Sequence, residues 1–145
     1  MSKSYTPEDL VGLTMKFANH TANLKFEDIP AEVVNKAKLI LRDGLGNQIA
    51  ASAIGDPAIR MAGLVQEWGG APQATVVGFG FKAPLPHATM CNAMMGHGVE
   101  LDDAHGSGLI KAGSVLVPTA MAFAEFKKAS GKEVLTALIA GYEIA

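Results

Sequence analysis

Apolar residues recur at three- and four-residue intervals along most of the chain, the spacing of amphipathic helices. Leu10, Leu13 and Phe17 follow Thr6, Pro7 and Asp9, residues suited to a helix start, and run up to the polar His20 and Thr21. After a loop ending at Asp28-Ile29-Pro30, the positions Val33, Ala37, Ile40, Leu41, Leu45 and Ile49 predict an apolar face on a helix over about 31–53. Gly44 and Gly46 lie inside it, each costing up to roughly 1 kcal/mol relative to Ala, and close approach of another helix is the expected reason. Asp56-Pro57 reads as an N-cap with proline at the first helical position, and Met61, Leu64, Val65 and Trp68 carry that helix to Gly69-Gly70.

Residues 74–78 (Ala-Thr-Val-Val-Gly) are the only strand-like run, too short to define a sheet. Pro84 and Pro86 introduce a helix over about 87–102, and 104–113 reads as a glycine-containing loop. Pro118 suits the first turn of a helix to about Lys128. Ser130 with Glu133 is a capping box before Val134, Leu135, Leu138, Ile139 and Tyr142. The chain stops at Ile144-Ala145 without a helix-ending residue, which predicts that it continues in a longer protein. The expected fold is all-α with at most one short strand, residues 1–145 forming the N-terminal part of a helical domain.

Composition narrows the function classes. The chain is 49% hydrophobic and 18% charged, with a net charge of −2, which fits a well-buried globular protein. Arg42 and Arg60 are its only arginines, and no basic stripe points to nucleic acid or an anionic membrane. Cys91 is the single cysteine, so an intrachain disulfide is excluded. The N-terminus lacks the apolar core of a signal peptide, and apolar runs break well short of a membrane span; a cytoplasmic location is expected.

The chemistry concentrates in residues 91–105, where Glu100, Asp102 and Asp103 crowd together between His97 and His105. On a helix continuing through this stretch, Asn92, Gly96, Glu100 and Asp103 share a face, His97 reaches Glu100, and Asp102 points away unless the helix ends first. Crowded carboxylates in a secluded site should raise at least one pKa, which suits acid–base work near neutral pH. The competing reading is a helix end with solvated acids. The acids oppose the helix dipole, however, a placement that stability alone disfavours. A metal bound by His97, Glu100 and His105 matches no standard zinc spacing. Cys91 in an apolar helix reads as buried and inert. Gly78-Phe79-Gly80 lacks the third glycine and the helix of a dinucleotide loop. Lys111, the only lysine between Lys82 and Lys127, is the cation nearest the acids: solvated, or their partner.

Residues 92–105 (Asn-Ala-Met-Met-Gly-His-Gly-Val-Glu-Leu-Asp-Asp-Ala-His) and 113–120 (Gly-Ser-Val-Leu-Val-Pro-Thr-Ala) resemble the signature region of the MmgE/PrpD family. Residues 26–30, 37–46, 129–131 and 140–143 match in the same order. The family includes 2-methylcitrate dehydratase, cis-aconitate decarboxylase and iminodisuccinate epimerase. The resemblance implies a helical domain completed by later sequence, a lid domain, a homodimer, a small carboxylate substrate, and chemistry without metal or organic cofactor. By motif match Glu100, Asp102 and Asp103 fall on an acidic run and His97 on the histidine before it. Lys111 stands in a loop where relatives often carry histidine, a departure that disfavours the decarboxylase activity. The expected catalytic set is Glu100, Asp102, Asp103, His97 and Lys111, with Asn92, His105 and Ser114 contacting substrate. The expected activity is proton abstraction α to a carboxylate, of the 2-methylcitrate dehydratase type. The alternatives are an epimerase of the iminodisuccinate type and a catalytically silent helical unit serving dimer assembly.

Overall fold

A computed structural model describes residues 10–145; the helix start expected at Thr6, Pro7 and Asp9 lies outside them. The described residues form α1 (Leu13–Asn23), a 3₁₀ turn (Phe26–Asp28), α2 (Ala31–Ile54), α3 (Asp56–Trp68), β1 (Ala74–Val76), β2 (Phe81–Ala83), α4 (Leu85–His97), α5 (Ala112–Lys127) and α6 (Gly131–Ile144). The fold is helical, as its periodicity predicts. The strand-like run has a partner that the pattern did not reveal: β1 and β2 pair antiparallel with Ala74 opposite Ala83 and Val76 opposite Phe81.

Small residues dominate the main core. Ala51, Ala58, Ala62, Val65, Ala88, Cys91, Met95 and Ala122 join the inward side chains of the hairpin, Ala74, Val76 and Ala83. A second cluster of Val34, Ala37, Leu135 and Ile139 seals α2 against α6. Side chains this small let backbones approach closely, and glycines mark the nearest approaches. A Cβ on Gly44 would lie 2.9 Å from a Val117 methyl, whereas one on Gly46 would meet nothing within 4 Å. The expected close helix therefore explains Gly44 and not Gly46.

That approach also rotates α2 from its predicted face. Its buried residues are Val34, Ala37, Gly44, Asn47, Gln48 and Ala51, while Ile49 is exposed. Hydrophobicity alone misplaced the face because the neighbouring helix admits small and polar residues, not large ones. In α3 the same effect buries Ala58, Ala62 and Val65 and leaves Leu64 and Trp68 largely exposed. Asp56 is the first residue of α3 rather than its cap, and it pairs with Arg60 at 2.9 Å.

Two helix limits differ from expectation, and both shape the site. α4 ends at His97, with Gly98 as its C-cap, so Glu100, Asp102 and Asp103 stand on a loop and not on the helix. Glu100 there takes a left-handed φ of 56°, which turns the chain back. α5 begins at Ala112, and Pro118 is buried inside it rather than in its first turn. A proline there leaves the Ser114 carbonyl without its helical donor. That carbonyl lies 3.2 Å from where a Cβ on Gly96 would stand, so α4 and α5 touch backbone to backbone at this point. The Ser130–Glu133 capping box starts α6 as expected. Among the described residues, no helix is long and apolar enough to cross a membrane.

Candidate functional site

The loop leaving α4 folds against the start of α5 and one side of α2, enclosing a cleft of about 460 Å³. Asp102, Asp103, Leu101, Gly96, Gly113 and Ser114 line it from one side; Lys36, Arg42, Asp43 and Asn47 line it from α2.

Asp102 is enclosed, its side chain only 3% exposed. His97 Nδ1 lies 3.0 Å from its Oδ2, and the Lys111 ammonium donates to its Oδ1 at 3.2 Å. Glu100 remains 71% exposed and closes the network from outside: Lys111 donates to its Oε2 at 2.9 Å, and His97 Nε2 is 3.0 Å from its Oε1. Burial opposes ionisation of Asp102, but the hydrogen bonds from His97 and Lys111 outweigh it and lower its pKa. The Lys111 hydrogen bond also lowers that of Glu100, and the two carboxylates raise that of Lys111. The raised carboxylate pKa expected from crowding is therefore not found at Glu100 or Asp102: with an amine between them, attraction exceeds repulsion.

Asp103 serves the next element. Its Oδ1 accepts from the Gly113 backbone N–H at 2.8 Å, in the first turn of α5, and its Oδ2 accepts from the Tyr142 hydroxyl at 2.7 Å. Burial and this carboxylate hold the Tyr142 phenol well above its usual pKa. No side chain fits at position 113, since a Cβ would fall 2.5 Å from Asp103 Oδ1 and 2.8 Å from the Tyr142 oxygen. The Ser114 hydroxyl donates to the Lys111 carbonyl at 2.8 Å beside the cleft.

The structure thus gathers His97, Glu100, Asp102, Asp103, Lys111 and Ser114, with Asp102 as the acid turned inward. It does not bring in Asn92 or His105. Asn92 is buried under the hairpin, accepting from the Val77 N–H at 3.0 Å and donating to the Thr75 carbonyl at 2.9 Å. His105 is exposed in a turn where its Nδ1 accepts from Gly108 N–H. Both are absent from the cleft lining; His97, Glu100 and Lys111 are absent from it too, but His97 and Lys111 bond directly to Asp102, which lines it.

Lys36, Arg42, Asp43 and Asn47 were missed in the sequence. For Lys36, Asp43 and Asn47 the signal was a polar stripe at helical spacing beside the apolar face of α2; Arg42 lies off that stripe and carried no such signal. His97, Glu100 and Asp102 offer ligand atoms within 4.8 Å of one another, enough for a cation. The Lys111 ammonium already bridges two of the three, Glu100 and Asp102, so a metal there would compete with it for both carboxylates. Cys91 is fully buried, and burial pushes its thiol up to about 11, as its apolar setting predicts.

The family model described as "MmgE/PrpD N-terminal domain" matches residues 15–145. A cis-aconitate decarboxylase-like protein (oryM) of Aspergillus oryzae is 30% identical, over 95% of this chain and 30% of that protein. A cis-aconitate decarboxylase of Aspergillus terreus is 30% identical, over 91% of this chain and 28% of the relative. The chain thus spans less than a third of the length of these relatives. No solved structure matches it significantly.

Proposed function

The chain belongs to the MmgE/PrpD family, and from that premise we propose that it supplies the acid–ammonium half of a lyase active site for a small tricarboxylate. The observation that carries this reading is Asp102, enclosed at the cleft and held ionised between His97 and Lys111. Removing a proton beside a carboxylate, or returning one after carbon dioxide leaves, needs a fixed base or acid near the reacting carbon and cationic groups for the charge that develops. In this reading the ionised Asp102 faces the substrate as the base that takes up the proton, while a proton delivered after loss of carbon dioxide comes from another acid of the complete site. Lys111 and His97 fix its position and charge as positioning residues. Asp103 acts indirectly by holding the start of α5, while Glu100 is the outer partner of Lys111. The relatives' length supports a further proposal, that the lid and the remaining site residues come from sequence outside these 145 residues; that the whole protein is a homodimer is proposed from the family resemblance alone.

The names of the relatives favour cis-aconitate as substrate. Lys111 favours a second reading, dehydration of the 2-methylcitrate type, because an ammionium-bearing loop replaces the histidine expected of the decarboxylase branch. The test is turnover of cis-aconitate, 2-methylcitrate and iminodisuccinate by the full-length protein and its Asp102→Asn and Lys111→Ala variants. Asp102→Asn is expected to lower kcat on the best substrate by about 10²-fold or more. Turnover unchanged by Asp102→Asn would remove this acid from the mechanism.

A further inference from the structure

We infer that Lys36 and Arg42 are the carboxylate-anchoring side of this cleft and set its preference for substrates bearing two or three carboxylates. The inference rests on the reading of the cleft as the substrate site and names residues that hold the molecule rather than react with it.

Both residues stand on α2 and line the cleft, across from the loop that carries Asp102. They are six positions apart, about 9 Å along the helix axis and about 120° around it, so they take up opposite edges of the cleft wall. A molecule with carboxylates at both ends can engage both cations, whereas a monocarboxylate reaches one. Among the described residues, the ion pairs are Arg60–Asp56, Lys82–Glu125, Lys132–Glu27 and the network of His97, Glu100, Asp102 and Lys111; Lys36 and Arg42 have no such partner.

The acids lining the cleft are engaged with other groups. Asp102 is matched by Lys111, Asp103 by the Gly113 N–H and the Tyr142 hydroxyl, and Asp43 accepts from the Asn47 amide at 3.4 Å. The two α2 cations therefore remain available to a ligand. Proton transfer at a carbon beside a carboxylate also needs this separation of charge. The reacting acid must meet the C–H bond, so the substrate's carboxylates must be drawn to a different wall. A guanidinium donates two parallel hydrogen bonds to a carboxylate, so Arg42 is the stronger anchor and Lys36 the more adaptable point charge.

The test is calorimetric titration of propane-1,2,3-tricarboxylate, which bears the charges without the reactive group, and of acetate into the full-length protein. Arg42→Gln is expected to weaken tricarboxylate binding about tenfold, Lys36→Gln less, with partial recovery in Arg42→Lys and little change for acetate. In turnover, Arg42→Gln should raise KM while leaving kcat nearly unchanged. Tricarboxylate affinity unchanged in both Arg42→Gln and the Lys36→Gln, Arg42→Gln double variant overturns the inference, and turnover that still depends on Asp102 would leave the catalytic reading standing. Arg42-dependent binding without turnover of any tested substrate would support the anchor and sink the catalytic reading.

Discussion

Glu100 and Asp102 are two residues apart and share Lys111, yet one side chain is largely in water and the other enclosed. Both meet Lys111 and His97, but water screens the pairs of the exposed acid more strongly than those of the enclosed one. The pKa directions fix how the network responds to pH. The lowered carboxylates contribute stability above their unfolded values, lost as pH falls through their folded ones; the raised Lys111 contributes below its unfolded value, lost as pH rises through its folded one. The pairing of Lys111 with the two carboxylates should therefore act fully between about pH 5 and pH 10. Lys111→Ala is expected to lower the melting temperature at pH 7, with the gap to wild type narrowing at pH 3. An equal gap at both pH values would contradict the network drawn here. Tyr142→Phe should leave Asp103 Oδ2 without its hydroxyl donor and cost about 1 kcal/mol in denaturant unfolding at neutral pH.

Two glycines of α2 separate packing from propensity. Alanine is the better helix former by up to about 1 kcal/mol, so Gly46→Ala, which meets nothing within 4 Å, should stabilise by a few tenths of a kcal/mol or more. Gly44→Ala meets the Val117 side chain at 2.9 Å and should destabilise by about 1–3 kcal/mol, because strain between helices exceeds the propensity gain. Urea denaturation of both variants reads the signs, and Val117→Ala introduced with Gly44→Ala should restore part of the loss. Equal effects at the two glycines would refute the contact. Ser130→Ala removes the α6 capping box and should cost about 1 kcal/mol, a local loss read in the same experiment.

Across the whole molecule, the core of alanines and valines closes over Cys91, which is fully buried with a thiol pushed up to about 11. Labelling by Ellman's reagent at pH 8 should be slow in native buffer and rise with the unfolded fraction in urea; fast native labelling would show that the core opens locally. The sequence by itself determined the helical class, the α6 cap and the neighbourhood of the site. Each depends on local periodicity, on capping chemistry or on acids and a lysine adjacent in the chain. The tertiary structure decided which way α2 turns, which acid is enclosed and that α5 starts six residues before Pro118. It also decided that Asn92 holds the hairpin and that Lys36 and Arg42 reach the cleft. These outcomes depend on how closely helices distant in sequence can approach, and periodicity along one helix carries no record of the shape of its neighbour.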